Sequence, residues 1–169
     1  IGDLGPGAYA ALAWLERAGL TWWQMLPVGP IGPGDSPYAS TSSFAGEPLL
    51  VAIEGLVDDG LLPRDALMDA PATLGRGSTR YADATAAKYP LFQRAWQVFQ
   101  ARGGPTSRPW KRFVRRNRFW LPGWRAYTND ATGMHGFLQF QFARQWARDR
   151  KSTRLNSSHT DISRMPSSA

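Results

Sequence analysis

A short polar run at residues 34–38 places a tyrosine beside a serine and an aspartate. Pro37 keeps the preceding Ser36 out of the helical region, and the side chain of Asp35 can bond the backbone that follows it, so a stiff turn should present Tyr38. A pyranose has apolar C–H patches that pack on an aromatic ring and hydroxyl groups that need fixed partners. Tyr38, Ser36 and Asp35 are therefore predicted to bind a sugar. The alternatives are a buried structural tyrosine and, for Ser36 and Asp35, simple turn capping.

The run at residues 34–38 is one of several sequence strings that follow each other along the chain. The others are IGDLGP at 1–6, WWQMLPVGP at 22–30, SFAGEPLL at 43–50, FLQF at 137–140 and RQW at 144–146. In this order, and in register from residue 1 to about residue 150, they resemble the amylomaltase family, also called 4-alpha-glucanotransferase or disproportionating enzyme. We therefore expect the chain to be a fragment of such an enzyme.

The resemblance implies a retaining transferase that acts on alpha-1,4-glucans. In such an enzyme one carboxylate attacks the anomeric carbon while a second carboxyl group protonates the leaving oxygen, and the 4-hydroxyl of another glucan then takes the sugar. It also implies that Tyr38 lines the sugar subsite on the non-reducing side of the cleaved bond, with Ser36 beside it. The family's catalytic carboxylates belong to segments beyond the matched strings, so we assign no catalytic residue. Asp35 and Glu47 flank the loop but do not occupy those positions.

Composition excludes several other classes of protein. With 169 residues, of which 43% are hydrophobic and 12% aromatic, the chain has enough apolar material for a core, and no apolar run is long enough to span a membrane. The chain has no cysteine, which is compatible with the reducing cytoplasm where we expect it to act. It has no phosphate-binding or dinucleotide-binding glycine motif and no histidine pair at metal spacing, so no cofactor and no metal are expected.

Charge is segregated along the chain. Residues 1–87 carry four basic and ten acidic side chains, whereas residues 88–150 carry thirteen basic and two acidic ones. The densest basic block, residues 108–118, interleaves arginine and lysine with Trp110 and Phe113, a composition that a nucleic-acid groove also uses. A nucleic-acid-binding protein is therefore the alternative hypothesis for function. The simpler interpretation is a helix with a solvated arginine face, because no nucleic-acid motif frames the block.

The first part of the chain has the pattern of an α/β protein. Residues 7–18 have apolar positions at helical spacing, with Pro6 at the start and Gly19 at the end. Residues 20–26 form a short apolar run rich in tryptophan, which predicts a buried strand. The loop at residues 27–48 follows this strand, as active-site loops follow the strands of a parallel barrel. We therefore expect a partial (β/α)8 TIM-barrel fragment with 27–48 as its substrate loop.

The later part of the chain has a helical pattern. Residues 70–80 are rich in glycine, proline and serine and indicate a linker. After it we expect a largely helical insertion over residues 81–150, in which Pro90 should kink or split the first helix. The aromatic side chains of this part are interpreted as core, with a second sugar-binding surface as the alternative, and the lone His135 is expected at a helix start. The expected helical segments, with two short turns before the linker, are 54–59, 64–67, 85–99, 108–119, 122–129 and 135–148.

The last nineteen residues, 151–169, are rich in serine and poor in apolar side chains, so we expect them to be disordered. They have no counterpart in the family pattern and resemble a translated adapter sequence. The barrel part is therefore predicted at residues 1–69, the linker at 70–80 and the helical part at 81–150. Because a complete barrel needs about 250 residues, we expect a fragment that lacks both ends.

Overall fold

Helices provide nearly all of the regular structure in residues 2–68 and 80–152, the part of the chain that the computed structural model describes. The α-helices of this part are α1 (Pro6–Arg17), α2 (Ile53–Asp58), α3 (Tyr81–Ala101), α4 (Arg108–Arg116), α5 (Leu121–Tyr127) and α6 (Met134–Ser152). Short 3₁₀ turns lie at Pro33–Asp35, Pro37–Ala39, Pro48–Leu50, Arg64–Leu67 and Gly104–Thr106. Among the described helices, none is both long enough and apolar enough to cross a membrane.

Helix α1 confirms the first helical prediction to within one residue at each end. Pro6 begins the helix, where a missing N–H leaves no hydrogen bond unmade, and Leu12 is buried. Just after the C-cap, Gly19 adopts a φ of +72°, a left-handed conformation that glycine reaches without steric cost. The helix therefore starts and stops where the local sequence signals place it.

The predicted buried strand at residues 20–26 is wrong for this structure. The described residues form no strand, and their one isolated β-bridge pairs Gly32 with Ser36 in the loop. The apolar side chains of residues 20–26 are exposed, Trp22 by 68%. A strand needs a neighbouring strand to satisfy its backbone N–H and C=O groups, and the described part of the chain offers none. The (β/α)8 barrel is therefore not visible in these residues.

The hydrophobic core forms where α3 and α6 pack on the segment around α2. Phe92, Phe137 and Leu138 are fully buried there. Aromatic rings dominate the packing. The centroid of the Phe137 ring lies 5.1 Å from that of Phe99 and 5.4 Å from that of Trp96. The interpretation of the helical aromatic side chains as core is confirmed for these residues, whereas Phe119 and Tyr127 are exposed.

One core joins the two parts that the sequence pattern separates. It contains Val51, Leu56 and Leu62 from before the predicted linker, together with Phe92 and Phe137 from after it. The predicted linker at 70–80 lies outside the described residues apart from Arg80, and so do residues 153–169 of the predicted disordered tail. Residues 151 and 152 are the last two of α6. The domain boundaries stay a prediction.

The remaining helical predictions agree with the structure to within a few residues. Helix α3 runs through Pro90 as one element, so the predicted split is absent. Helix α4 ends at Arg116 and not at residue 119, because Asn117 caps its end. The amide of Asn117 donates to the carbonyl oxygen of Phe113 (2.8 Å) and its side-chain oxygen accepts from Nε1 of Trp120 (2.9 Å). These bonds stop the helix and start the turn that leads into α5.

Candidate functional site

The turn that carries Tyr38 is held by its backbone conformation and by hydrogen bonds between neighbouring residues. Gly34 and Asp35 both have positive φ, at +73° and +57°, so two left-handed residues follow each other. The hydroxyl of Ser36 accepts a hydrogen bond from the N–H of Tyr38 (3.3 Å), and the carbonyl of Ser36 accepts one from the N–H of Gly32 (3.2 Å). The side chain of Tyr38 is 76% exposed. The structure presents the ring as the sequence predicts, and its contact with a sugar stays a prediction.

Ser36 and Asp35 both contribute to the shape of this turn. The Ser36 hydroxyl is engaged in capping, which was the alternative to sugar binding. Asp35 holds a left-handed conformation that aspartate tolerates better than most residues, and its side chain is exposed. The three predicted site residues therefore lie together in one turn.

Gly32 lets the loop fold back on itself. A methyl group at this position would lie 1.8 Å from the carbonyl oxygen of Ala39. Because the obstacle is backbone and cannot rotate away as a flexible side chain would, only glycine fits here. Gly29 also lies close to another part of the loop, since a methyl group on it would lie 2.7 Å from the Ser40 hydroxyl. The loop is thus tightly folded on both sides of the Tyr38 turn.

The carboxylate of Glu47 ties the two ends of loop 27–48 together. One oxygen accepts a hydrogen bond from the N–H of Ile31 (2.9 Å) and the other accepts one from the N–H of Leu49 (2.9 Å). The N–H of Glu47 donates to the carbonyl of Val28 (2.8 Å). Hydrogen bonds to an ionised carboxylate are roughly twice as strong as neutral ones. Glu47 is therefore a structural brace of the loop.

Two glutamines of α6 hold the end of the loop through reciprocal amide bonds. Oε1 of Gln139 accepts from the N–H of Gly46 (2.8 Å), and its Nε2 donates to the Gly46 carbonyl (2.9 Å). Gln145 makes the same pair of bonds with Ala52, at 2.8 and 3.1 Å. These buried amides supply the donor and the acceptor that a neighbouring strand would otherwise provide. A methyl group on Gly46 would lie 2.4 Å from the ring of Phe142, so glycine lets the loop reach the helix.

Lys88 fastens the same segment from α3. Its Nζ contacts Oδ2 of Asp3 at 2.5 Å and donates to the carbonyls of Leu49 (2.8 Å) and Val51 (3.0 Å). The Lys88 side chain is only 16% exposed, and a largely buried ammonium group needs partners of this kind. Helix α6 therefore holds the loop at Gly46, and α3 holds the segment that directly follows the loop.

Tyr89 of α3 contacts His135 of α6, with 6.2 Å between the ring centroids. Burial raises the pKa of the Tyr89 phenol, and the negative charge of Glu47 raises it further. His135 is the second residue of α6, which confirms its predicted place at a helix start. Its Nδ1 is buried and has no hydrogen-bond partner among the described residues. Within residues 2–68 and 80–152, no cluster of three or more side chains could hold a metal ion.

Two grooves open on the helical part, and neither is lined by the three residues predicted to bind sugar. One, of about 490 Å³, lies between α4 and α5. The other, of about 400 Å³, is lined by Arg115, Arg116, Arg118 and Phe119. The loop reaches this second groove through Phe44, whose ring meets that of Phe119 edge to face at 5.1 Å.

The structure adds supporting residues that the sequence interpretation missed. Glu47, Gly32 and Gln139 fix the loop, although none of them was predicted to bind sugar. Gln139 and Gln145 stand in two of the family-like strings, yet their role was not foreseen. The signal for it is a pair of glutamines among the apolar residues of a helix. They stand six residues apart, as do their backbone partners Gly46 and Ala52.

Comparison with known proteins points to one family. A family model described as 4-alpha-glucanotransferase matches residues 1–130. The 4-alpha-glucanotransferase of Thermus thermophilus is 34% identical over 139 residues, which cover 82% of this chain and 27% of that protein. The chloroplastic/amyloplastic 4-alpha-glucanotransferase of Arabidopsis thaliana is 40% identical over 95 residues, which cover 56% of this chain and 16% of that protein.

The fold is also similar to that of a solved structure. The solved amylomaltase from Streptococcus agalactiae, in complex with acarbose, matches 90% of this chain and 37% of its own with a TM-score of 0.70 at 21% identity. The chain thus spans 27% of the length of the Thermus relative and 37% of the solved one. None of these findings supports the nucleic-acid hypothesis.

Proposed function

The chain belongs to the 4-alpha-glucanotransferase family, and from this membership we propose that it is the part of such an enzyme that binds an alpha-1,4-glucan on the turn carrying Tyr38. The observation that carries the proposal is an exposed tyrosine ring on a turn that hydrogen bonds hold in place. An aromatic face packs on the C–H patch of a pyranose. The neighbouring Ser36 and Asp35 offer oxygen atoms to the sugar hydroxyl groups.

The reaction that we propose for the whole enzyme is transfer of a glucan segment to the 4-hydroxyl of an acceptor glucan or glucose, with retention of configuration. One carboxylate displaces the leaving glucan oxygen, which takes a proton from a second carboxyl group. The acceptor hydroxyl then displaces the first carboxylate and returns its proton to the second group. Family membership supports this reaction. The part played by this chain is to bind the glucan and orient it.

We also propose that these residues belong to a (β/α)8 barrel in the whole enzyme. The amylomaltase-like fold supports this, as do the exposed apolar side chains of residues 20–26, which a barrel strand would bury. A cytoplasmic location is part of the proposal, and the absence of cysteine supports it.

Transfer activity tests the proposal in a polypeptide that carries this segment together with the rest of a 4-alpha-glucanotransferase. Incubated with maltotriose, it should form both longer oligosaccharides and glucose, whereas hydrolysis alone would contradict a transferase. Tyr38→Ala should lower kcat/KM by about tenfold, equivalent to about 1.4 kcal/mol. Tyr127→Ala, at another exposed tyrosine, is the matched control. An unchanged kcat/KM in Tyr38→Ala would contradict the proposed role of the turn.

A further inference from the structure

Three arginines and a phenylalanine line a groove that the proposed glucan site does not use. This arginine groove has a volume of about 400 Å³ and is lined by Arg115, Arg116, Arg118 and Phe119. All four lining side chains are exposed, so the groove is open to solvent. Phe119 is 69% exposed, so a ligand can reach its ring.

The positive charge of the arginine groove has no acidic partner among the described side chains. Residues 84–129 contain ten arginine and lysine side chains and no aspartate or glutamate. Like charges three or four residues apart destabilise a helix, and α4 contains several such pairs, Arg112 and Arg116 among them. A bound anion would relieve this repulsion. The described ion pairs involve other cations, namely Arg80, Lys88, Arg125, Arg144 and Arg148.

The residue types of the arginine groove favour phosphate over other anions. A guanidinium group is planar, stays charged and presents a fork of N–H donors that matches phosphate oxygens in pairs. Three such groups suit the nearly two negative charges of a phosphate monoester better than the single charge of a carboxylate. The ring of Phe119 adds an apolar face on which a sugar can pack.

The arginine groove adjoins the loop that we propose binds glucan. Phe44, six residues after Tyr38, meets Phe119 edge to face, with 5.1 Å between the ring centroids. Phe44 is 60% exposed. A ligand that carries both a sugar and a phosphate can therefore contact exposed aromatic rings and the arginines together.

We propose that the arginine groove binds the phosphate monoester of a phosphorylated sugar. Two sources share this chemistry, a phosphate carried by the glucan itself and a free hexose phosphate. The first source rests on the proposed function, because the glucan would lie on the loop, and the second does not. A nucleic acid also carries phosphate, but each of its phosphodiesters has one negative charge. The test must therefore distinguish binding of a nucleic acid from binding of a phosphorylated sugar.

Binding to the chain itself, measured by titration calorimetry at constant ionic strength, tests the proposal. The probes are maltoheptaose, phosphorylated maltoheptaose, glucose 6-phosphate and a single-stranded oligonucleotide. The groove variant is Arg115→Gln with Arg118→Gln. The charge-matched control is Arg94→Gln with Arg108→Gln, two exposed arginines that do not line the groove. Circular dichroism and the affinity for maltoheptaose check that each variant keeps its fold.

We expect phosphorylated maltoheptaose to bind about tenfold more tightly than maltoheptaose, and we expect the groove variant, but not the control, to lose this difference. Binding of glucose 6-phosphate with the same dependence on the two arginines would support the groove and identify a free hexose phosphate as a source. If maltoheptaose does not bind while glucose 6-phosphate does, the groove is supported and the proposed function of the loop is contradicted.

Three results would overturn the arginine groove as a phosphate site for sugars. The first is equal affinity for phosphorylated and unphosphorylated maltoheptaose together with no binding of glucose 6-phosphate. The second is an equal loss of affinity in the groove variant and the control, which would mean that only the net charge matters. The third is an oligonucleotide that binds through the same arginines more tightly than either phosphorylated sugar. The first two leave the glucan proposal for the Tyr38 turn intact.

Discussion

Gln139 and Gly46 exchange two buried hydrogen bonds, at 2.8 and 2.9 Å, across 93 residues of sequence. The carboxylate of the next residue, Glu47, accepts a hydrogen bond from the N–H of Ile31, at the other end of the loop. Gly32 then bonds to the turn that presents Tyr38. The position of the tyrosine therefore depends on a side-chain amide of α6, which lies outside the turn.

Replacing Gln139 by alanine should lower the free energy of unfolding by about 2–6 kcal/mol. The buried N–H and C=O groups of Gly46 would both lose their partner, at about 1–3 kcal/mol for each group. Urea unfolding followed by circular dichroism measures the change. Gln97→Ala, exposed on α3, is the matched control and should change the free energy by less than about 0.5 kcal/mol. Equal effects of the two substitutions would show that the amide bonds do not stabilise the loop.

Gly32→Ala should weaken maltoheptaose binding by about tenfold. A methyl group 1.8 Å from the Ala39 carbonyl oxygen forces the backbone apart, and the bridge from Gly32 to Ser36 moves with it. Titration calorimetry on the chain measures the affinity. The control is Gly123→Ala, because a methyl group there meets no atom within 4 Å. Undiminished binding in Gly32→Ala would mean that the shape of the turn does not matter for the ligand.

Lys88→Met should destabilise the chain by about 1–3 kcal/mol, because the carbonyls of Leu49 and Val51 and the carboxylate of Asp3 would all lose their shared donor. Thermal or urea unfolding measures the effect. Lys111→Met, at an exposed position of α4, controls for the loss of one charge. The role of Lys88 as an anchor is refuted if both variants unfold at the same urea concentration.

Tyr89→Phe should make stability less dependent on pH above about pH 10. Burial, and after it the charge of Glu47, raises the pKa of the Tyr89 phenol above 10.0. As pH rises past the unfolded pKa, the unfolded chain loses this proton before the folded chain does, so the free energy of unfolding falls. The phenylalanine variant has no such proton to lose. Urea titrations at about pH 9 and about pH 11 measure the two slopes, and parallel slopes would contradict this prediction.

Residues that act on their own backbone could be predicted from the sequence. Pro37 and Ser36 predict the turn, and Gly19 predicts the end of α1, because each works through its nearest neighbours. The pairing of Gln139 with Gly46 could not be predicted in this way. Its partners lie 93 residues apart, and only the packing of α6 against the loop brings them together.

The strand prediction at residues 20–26 failed for a related reason. An apolar run bounded by turn signals indicates what a segment can bury, whereas a strand also requires a neighbour with which to exchange hydrogen bonds. The described residues provide no such neighbour, and Trp22 and Trp23 stay exposed. At the loop and at the strand alike, the structure depends on contacts between distant parts of the chain. Local sequence patterns could not predict these contacts.

Maltoheptaose binding by the chain and by Tyr38→Ala shows whether the turn holds the glucan. Because the ring is 76% exposed, its removal should leave the free energy of unfolding within about 0.5 kcal/mol of the unmodified chain. The same change should weaken binding by about tenfold, and Tyr127→Ala, which removes another exposed ring, should not. If Tyr38→Ala binds maltoheptaose as tightly as the unmodified chain, the turn is not the glucan site.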